Sequence, residues 1–187
     1  MALLALAFVG KKNSGKTTLL EKLIAELTRR GYNVGTLKHH SHAGFAIDIE
    51  GKDSWRHAKA GSRFTAISAP DRITMVRELD APEDAANTLA AMVALSTAGE
   101  MQGTRPLDII LVEGFRQSGL PTVELFRADN PNDAERELGS EGNSIIAVVT
   151  DMPRIVTKAV EAGIPSFGFE HTASLADFIE LLLVTER

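Results

Sequence analysis

Residues 10–17 read Gly10-Lys11-Lys12-Asn13-Ser14-Gly15-Lys16-Thr17. The string fits G-x-x-x-x-G-K-[ST], the pattern of a phosphate-binding loop. Its glycines permit a tight turn in which successive backbone N–H groups point at phosphate oxygens. Lys16 would reach the outer phosphates, and the Thr17 hydroxyl would ligate Mg²⁺. Thr18 continues into the helix that starts here, and the positive end of that helix adds to the site. A glycine-rich turn without a ligand is the alternative reading. The flanks decide against it. Ala2–Val9 is an unbroken apolar run, as expected of a buried strand, and Lys16–Arg30 carries Leu19, Leu20, Leu23, Ile24 and Leu27 at helical spacing before Gly31.

Outward from this unit, strand and helix patterns alternate. Asn33–Leu37 reads as a strand, 38–51 as a loop and Asp53–Ala60 as a short helix. Phe64–Ala69 and Ile73–Val76 flank Pro70-Asp71, a link that suits only a hairpin. Glu83–Thr97 is helical, with Ala86, Leu89, Ala90 and Val93 on one face. Leu107–Val112 is apolar enough for a central strand. Thr122–Phe126 follows so soon that an antiparallel pairing with it is expected. Residues 128–143 hold few apolar side chains and five acids against one base, as expected of a mobile surface loop. Ile145–Val149, Pro153–Ala162, Pro165–Phe169 and Ser174–Val184 complete the chain as strand, helix, strand and helix. Ser174 and Asp177 stand in capping-box spacing. The expected fold is α/β, a P-loop NTPase fold with a mixed, mostly parallel sheet flanked by helices, formed by residues 1–187 as one domain.

Composition narrows the function. With 187 residues a core needs no staple, and the chain has no Cys, which excludes thiolate metal sites and thiol nucleophiles. Twenty basic against 25 acidic residues leave a net charge of −5, so a nucleic-acid coat is not expected. The eight apolar residues of the first strand are too few to span a membrane, and no base precedes them as in a signal peptide. A cytoplasmic protein is expected.

A P-loop site needs an acid at the carboxyl end of a neighbouring strand. Asp108 starts the strand 107–112 and Glu113 ends it, about 16 Å apart at strand rise. Glu113 is therefore on the correct rim, as a metal or water-positioning ligand, and Asp108 is on the wrong one. The stretch Lys38-His39-His40-Ser41-His42 reaches the same rim. Its histidines suit a transition metal, a substrate anion or plain solvation. Asp48 suits a Mg²⁺ ligand or a turn, and Asp53 a substrate contact or a helix cap. Trp55 is expected to pack against the sheet. Asp151 follows the strand 145–149 and suits either guanine recognition or the turn before Pro153.

Taken together, Phe8-Val9-Gly10, Ser14-Gly15-Lys16-Thr17-Thr18-Leu19, Leu37-Lys38-His39-His40, Gly51-Lys52-Asp53-Ser54, Lys59-Ala60-Gly61, Leu111-Val112-Glu113-Gly114-Phe115 and Glu124-Leu125-Phe126-Arg127 resemble the MobB family of molybdopterin-guanine dinucleotide biosynthesis proteins. The resemblance implies a P-loop GTP-binding protein, usually dimeric and only a weak GTPase. It implies an adaptor beside a MobA-like nucleotidyltransferase, assisting attachment of a GMP moiety to molybdopterin. By position it assigns Lys16 and Thr17 to phosphate and Mg²⁺, Asp48 and Glu113 to the metal's acidic partners and Asp151 to the base. A rim of Lys38, His39, His40, His42, Asp53, Phe115 and Arg116 would face the pterin substrate or the partner. The family often has proline where Glu50 stands and lysine where Thr122 stands. A small-molecule kinase would need arginines in a lid, and Arg136 is the one base in 128–143. A nucleotide-dependent regulatory ATPase is the remaining alternative, with Lys11 at the place of its signature lysine.

Overall fold

The computed structural model describes residues 3–38, 48–78, 87–88, 90–91, 94, 105–115, 119–141 and 144–185. Strand β1 (Leu4–Val9) runs into the loop 10–15 and helix α1 (Lys16–Arg29). Then come β2 (Val34–Lys38), α2 (Asp53–Lys59) and a hairpin of β3 (Phe64–Ala69) and β4 (Arg72–Arg77). The second half holds β5 (Ile109–Glu113), β6 (Thr122–Phe126), β7 (Ile145–Thr150), α3 (Pro153–Glu161), β8 (Ser166–Phe167) and α4 (Thr172–Thr185). Of the expected helix 83–97, residues 87–88, 90–91 and 94 are helical, and the others lie outside the described residues.

Among the described residues, six strands form one sheet in the order β2-β5-β1-β6-β7-β8, and β3 and β4 pair separately. Every pairing in the large sheet is parallel, and the antiparallel element resides in the hairpin. All six carboxyl ends thus face one rim. The chain reverses its winding at β1, between β5 and β6, which is where α/β sheets open a crevice.

The expected antiparallel pairing of β6 with β5 is not found. Both strands run parallel to β1, on opposite sides of it. A short link suffices because the strands are staggered. Glu113, the last residue of β5, is level with Phe8, whereas Thr122, the first of β6, is level with Ala7. The chain crosses β1 without returning down the sheet, so the long crossover of an unstaggered parallel pair is not needed.

Side chains alternate across β1. Leu4, Leu6 and Phe8 pack with Leu23 and Leu27 of α1 and Leu175 and Ile179 of α4. On the opposite face, Ala5 packs with Ile110, Val112 and Phe115, and α3 covers Phe126 and Val148 through Ile155 and Ala159. Trp55 does not join either core. It is half-buried, α2 packs on β3 instead, and the Lys59 ammonium lies 5.5 Å from the indole centroid. Ser174 does not cap α4, which starts two residues earlier, with Leu175 N–H donating to His171 O at 3.1 Å. Asp177 turns instead to Arg30 at 2.7 Å. Arg30 also meets Glu26 at 2.8 Å and Glu180 at 2.5 Å, tying α1 to α4.

Residues 128–141 run along the surface, as expected of a loop, but they are pinned from within. Pro131–Asp133 form a turn of 3₁₀ helix, and Asn130, Asp133, Arg136 and Glu141 are buried. Arg136 bonds Asp133 at 2.5 Å, meets Glu124 at 3.5 Å, donates to the Leu125 carbonyl and lies 3.7 Å from the Phe126 ring centroid. Glu124, fully buried on β6, accepts from Gly139 N–H at 2.7 Å and Glu141 N–H at 3.3 Å. Burial pushes its carboxyl above the ordinary range, against the pull of those amides and of Arg136. From α3, Arg154 donates to the carbonyls of Asp133, Ala134 and Arg136 and fastens the segment down.

Two measurements check this account. Arg136→Leu would leave two carboxylates buried without their cation, so urea denaturation should show a loss of about 3–5 kcal/mol. Second, hydrogen bonds from Arg29 and Arg30 lower Glu26 from an ordinary 4.5 to about 2. A depressed carboxylate stabilises above its unfolded pKa and loses that contribution as pH falls. The melting temperature of Glu26→Gln should therefore lie below that of the parent at pH 7 and converge on it between pH 4.5 and 2.

Candidate functional site

The loop after β1 folds as its residue types require. Asn13 at φ 67° and Gly15 at φ 83° take left-handed backbone, a region open to asparagine and glycine. At Gly10 the need is steric. A Cβ there would stand 2.7 Å from Ser14 Oγ and 3.0 Å from the Leu125 carbonyl oxygen of β6. The first turn of α1 contains no acid, and the residue before it, Gly15, offers no side chain to cap it. The orphan N–H groups of that turn are therefore left open to an anion.

Lys16 lies over this hollow. Its ammonium donates to Gly10 O at 2.8 Å, Lys11 O at 2.7 Å and Ser14 Oγ at 3.3 Å. It thus caps the loop's own carbonyls at the place where phosphate oxygens would compete for its protons. Thr17 Oγ1 donates to Glu113 Oε1 at 3.2 Å, and Lys38 Nζ stands 3.5 Å from Glu113 Oε2. Parallel register explains the meeting, since Glu113 is level with Lys38 on one side and Phe8 on the other. A hydroxyl and a carboxylate side by side are oxygen donors that would suit a Mg²⁺. Asp108 is at the far end of β5, where its Oδ2 accepts from Asn33 N–H at 2.6 Å.

The segment 128–141 supports the loop from the β6 side. Lys11 Nζ pairs with the buried Glu141 at 2.6 Å, and Asn130 Nδ2 donates to Lys12 O at 3.1 Å. Beside the loop opens a cleft of about 240 Å³, lined by Asn13, Gly15, Thr18, Lys22, Arg127 and Phe169. The Arg127 guanidinium lies 4.3 Å from the Phe169 ring centroid. Glu170 at the edge pairs with Lys22 at 2.9 Å, and that hydrogen bond lowers its pKa.

The structure thus brings Lys16, Thr17, Lys38 and Glu113 together around the loop. Asp48 does not join them. Its Oδ1 accepts from Ile49 N–H at 2.8 Å, within its own turn. Asp53 is exposed in the first turn of α2, 4.0 Å from Arg56. Asp151 stands at the end of β7, where Oδ1 accepts from Ala128 N–H at 2.6 Å and Oδ2 lies 3.5 Å from Arg127 Nε. Phe115, expected on the rim, is buried among Ile110, Val112, Leu37 and Leu120, because the left-handed Gly114 at φ 97° ends the strand's alternation after Glu113 and puts Phe115 on the opposite face. His39, His40, His42 and Arg116 lie outside the described residues. Among the described residues no three His, Asp or Glu side chains converge as a metal cluster, and no helix is long and apolar enough to cross a membrane.

Arg127, Asn130, Glu141 and Phe169 escape sequence reasoning as site residues. Arg127 immediately follows an apolar strand on the correct rim, which is the one signal that marks it. Phe169 carries none, since the two-residue β8 brings it to the loop from far along the chain.

Residues 5–151 match the family described as molybdopterin guanine dinucleotide synthesis protein B. The chain is 33% identical over 175 residues to the molybdopterin-guanine dinucleotide biosynthesis adapter protein of Haemophilus influenzae, covering 94% of this chain and 86% of that one. It is 33% identical over 174 residues to the adapter protein of Escherichia coli, covering 93% and 90%. The crystal structure of Bacillus subtilis MobB superposes with a TM-score of 0.71 at 25% identity, over 95% of this chain and 96% of that one.

Gly10→Ala tests the cradle. The added methyl stands 2.7 Å from Ser14 Oγ, which must move within the loop, and 3.0 Å from the Leu125 carbonyl of β6, which must give slightly. Binding of inorganic triphosphate, followed by calorimetry, should fall by roughly tenfold or more, about 1.4 kcal/mol.

Proposed function

The chain belongs to the molybdopterin guanine dinucleotide synthesis protein B family, and from that premise we propose that it is a GTP-binding adaptor of molybdenum cofactor maturation. The observation that carries the reading is the cradle itself: left-handed Asn13 and Gly15, Lys16 held over the hollow and Thr17 bonded to Glu113. In this reading residues 10–18 grip the phosphates and Thr17 and Glu113 hold Mg²⁺. The cation supplies charge neutralisation between the outer phosphates. Asp48 and the histidines 39, 40 and 42 belong to the rim that meets the substrate side.

The partner is a MobA-like nucleotidyltransferase, and molybdopterin or its guanine dinucleotide is the molecule served. The reading expects slow hydrolysis and delivery of GTP rather than rapid turnover. A cytoplasmic location fits the absence of Cys. A homodimer fits the hairpin. Phe64, Ile67, Ile73 and Met75 are exposed on it, and an isolated two-stranded sheet is marginal in water until another surface covers it.

Titration calorimetry with GTP, GDP and ATP, each with Mg²⁺, tests the reading. GTP should bind more tightly than ATP, and Lys16→Ala should weaken GTP by roughly 100-fold, about 2.7 kcal/mol. Affinity within a few-fold of the parent in Lys16→Ala would remove the cradle from the mechanism.

A further inference from the structure

We infer that Arg127, not Asp151, reads the base, and that it does so at the O6 and N7 edge of guanine. The inference deepens the GTP reading and rests on it. Three observations carry it. The first is position. Arg127 Nη1 lies 3.7 Å, and Phe169 Cε1 3.2 Å, from where a Cβ on Gly15 would stand. The guanidinium therefore lines the cleft beside the phosphate cradle, within reach of a nucleoside whose phosphates occupy the loop.

The second is commitment. Asp151 is the acid that the end of β7 offers to a base, yet Oδ1 is taken by Ala128 N–H and Oδ2 faces Arg127 Nε. A carboxylate that reads guanine must instead accept from N1–H and the N2 amino group. Asp151 is a positioning residue, which orients the arginine from behind while Phe169 supports it from one face. The Arg127 backbone N–H is anchored as well, donating to the buried Asp133 at 3.0 Å. Among the described residues, neither Nη1 nor Nη2 of Arg127 has a protein oxygen as hydrogen-bond acceptor.

The third is chemistry. A guanidinium has only donors, in a fixed fork. Guanine offers acceptors at both O6 and N7, which the fork meets in a bidentate pair. Adenine has N7 but presents N6–H₂ where O6 would be, so donor meets donor. An arginine at this place therefore selects guanine without any carboxylate.

Nucleotide analogues test this on the unaltered protein with Mg²⁺, read by calorimetry. The 7-deaza analogue of GTP replaces N7 by C–H and should bind at least about tenfold more weakly than GTP. Inosine triphosphate keeps O6 and N7 but lacks the amino group, and should bind within about threefold of GTP. The opposite pattern, weak inosine triphosphate and undiminished 7-deaza analogue, would return the reading to Asp151 and overturn the inference. Arg127→Met should lower GTP affinity at least about tenfold and change ATP affinity less than about threefold. An unchanged preference for GTP over ATP in that variant would also overturn it, leaving the cradle intact. Failure of the parent protein to bind GTP, GDP or ATP would overturn the GTP reading and this inference together.

Discussion

At Gly10 the chain passes so close to Ser14 Oγ and the Leu125 carbonyl of β6 that a Cβ would stand 2.7 Å and 3.0 Å from them. The rest of the site depends on that approach. It sets the end of β1 against β6 and lets the loop close over its own amides. It also requires β6 to start level with Ala7 and extend beyond the end of β5. The same stagger that lets a short link join two parallel strands carries Phe126 and Arg127 past the loop to its flank. Without it, the chain would have no arginine beside Gly15.

Beneath this flank the protein buries charge. Glu124, Asp133, Arg136 and Glu141 meet one another, backbone amides and Lys11 in a space most folds fill with aliphatic side chains. Buried ions are weak contributors to stability, but each removal strands its partner. Such a network tolerates few arrangements. This one hands its order outward through three contacts: Glu141 to Lys11, Asn130 to the Lys12 carbonyl and Asp133 to the Arg127 amide. The loop 10–15 and the arginine of the cleft are thus positioned by the same buried carboxylates. Of the five acids between 128 and 141, Asp133 and Glu141 belong to this inner support, while Asp129, Glu135 and Glu137 face solvent as the composition suggests.

The elements read correctly are those whose signal is local. The run 4–9, the helical spacing of Leu19 to Leu27, the hairpin around Pro70-Asp71 and the loop 10–17 each depend on neighbours a few residues away. Glu113 was legible for a related reason, because strand length alone puts it at the opposite end from Asp108. The misreadings arise where distant contacts decide. Asp177 leaves a capping role because Arg30, on another helix, attracts it. Phe115 is drawn inward by Leu37 and Leu120, which sequence distance hides. The direction of β6 is not legible in the short link before it, because link length limits strand direction only when the strands are level.

By itself, then, the sequence determined the α/β alternation, the glycine-rich turn 10–15 that opens a helix at Lys16 and Thr17, and the place of Glu113 on the same rim. Backbone freedom at glycine, apolar periodicity and motif spacing are properties of short stretches. Tertiary structure alone decided the order and stagger of the strands, the burial of Glu124, Asp133, Arg136 and Glu141 and the meeting of Arg127 with Phe169 and Asp151. These rest on the desolvation of charge and on register between strands far apart in the chain, and both are settled only when the whole sheet is assembled.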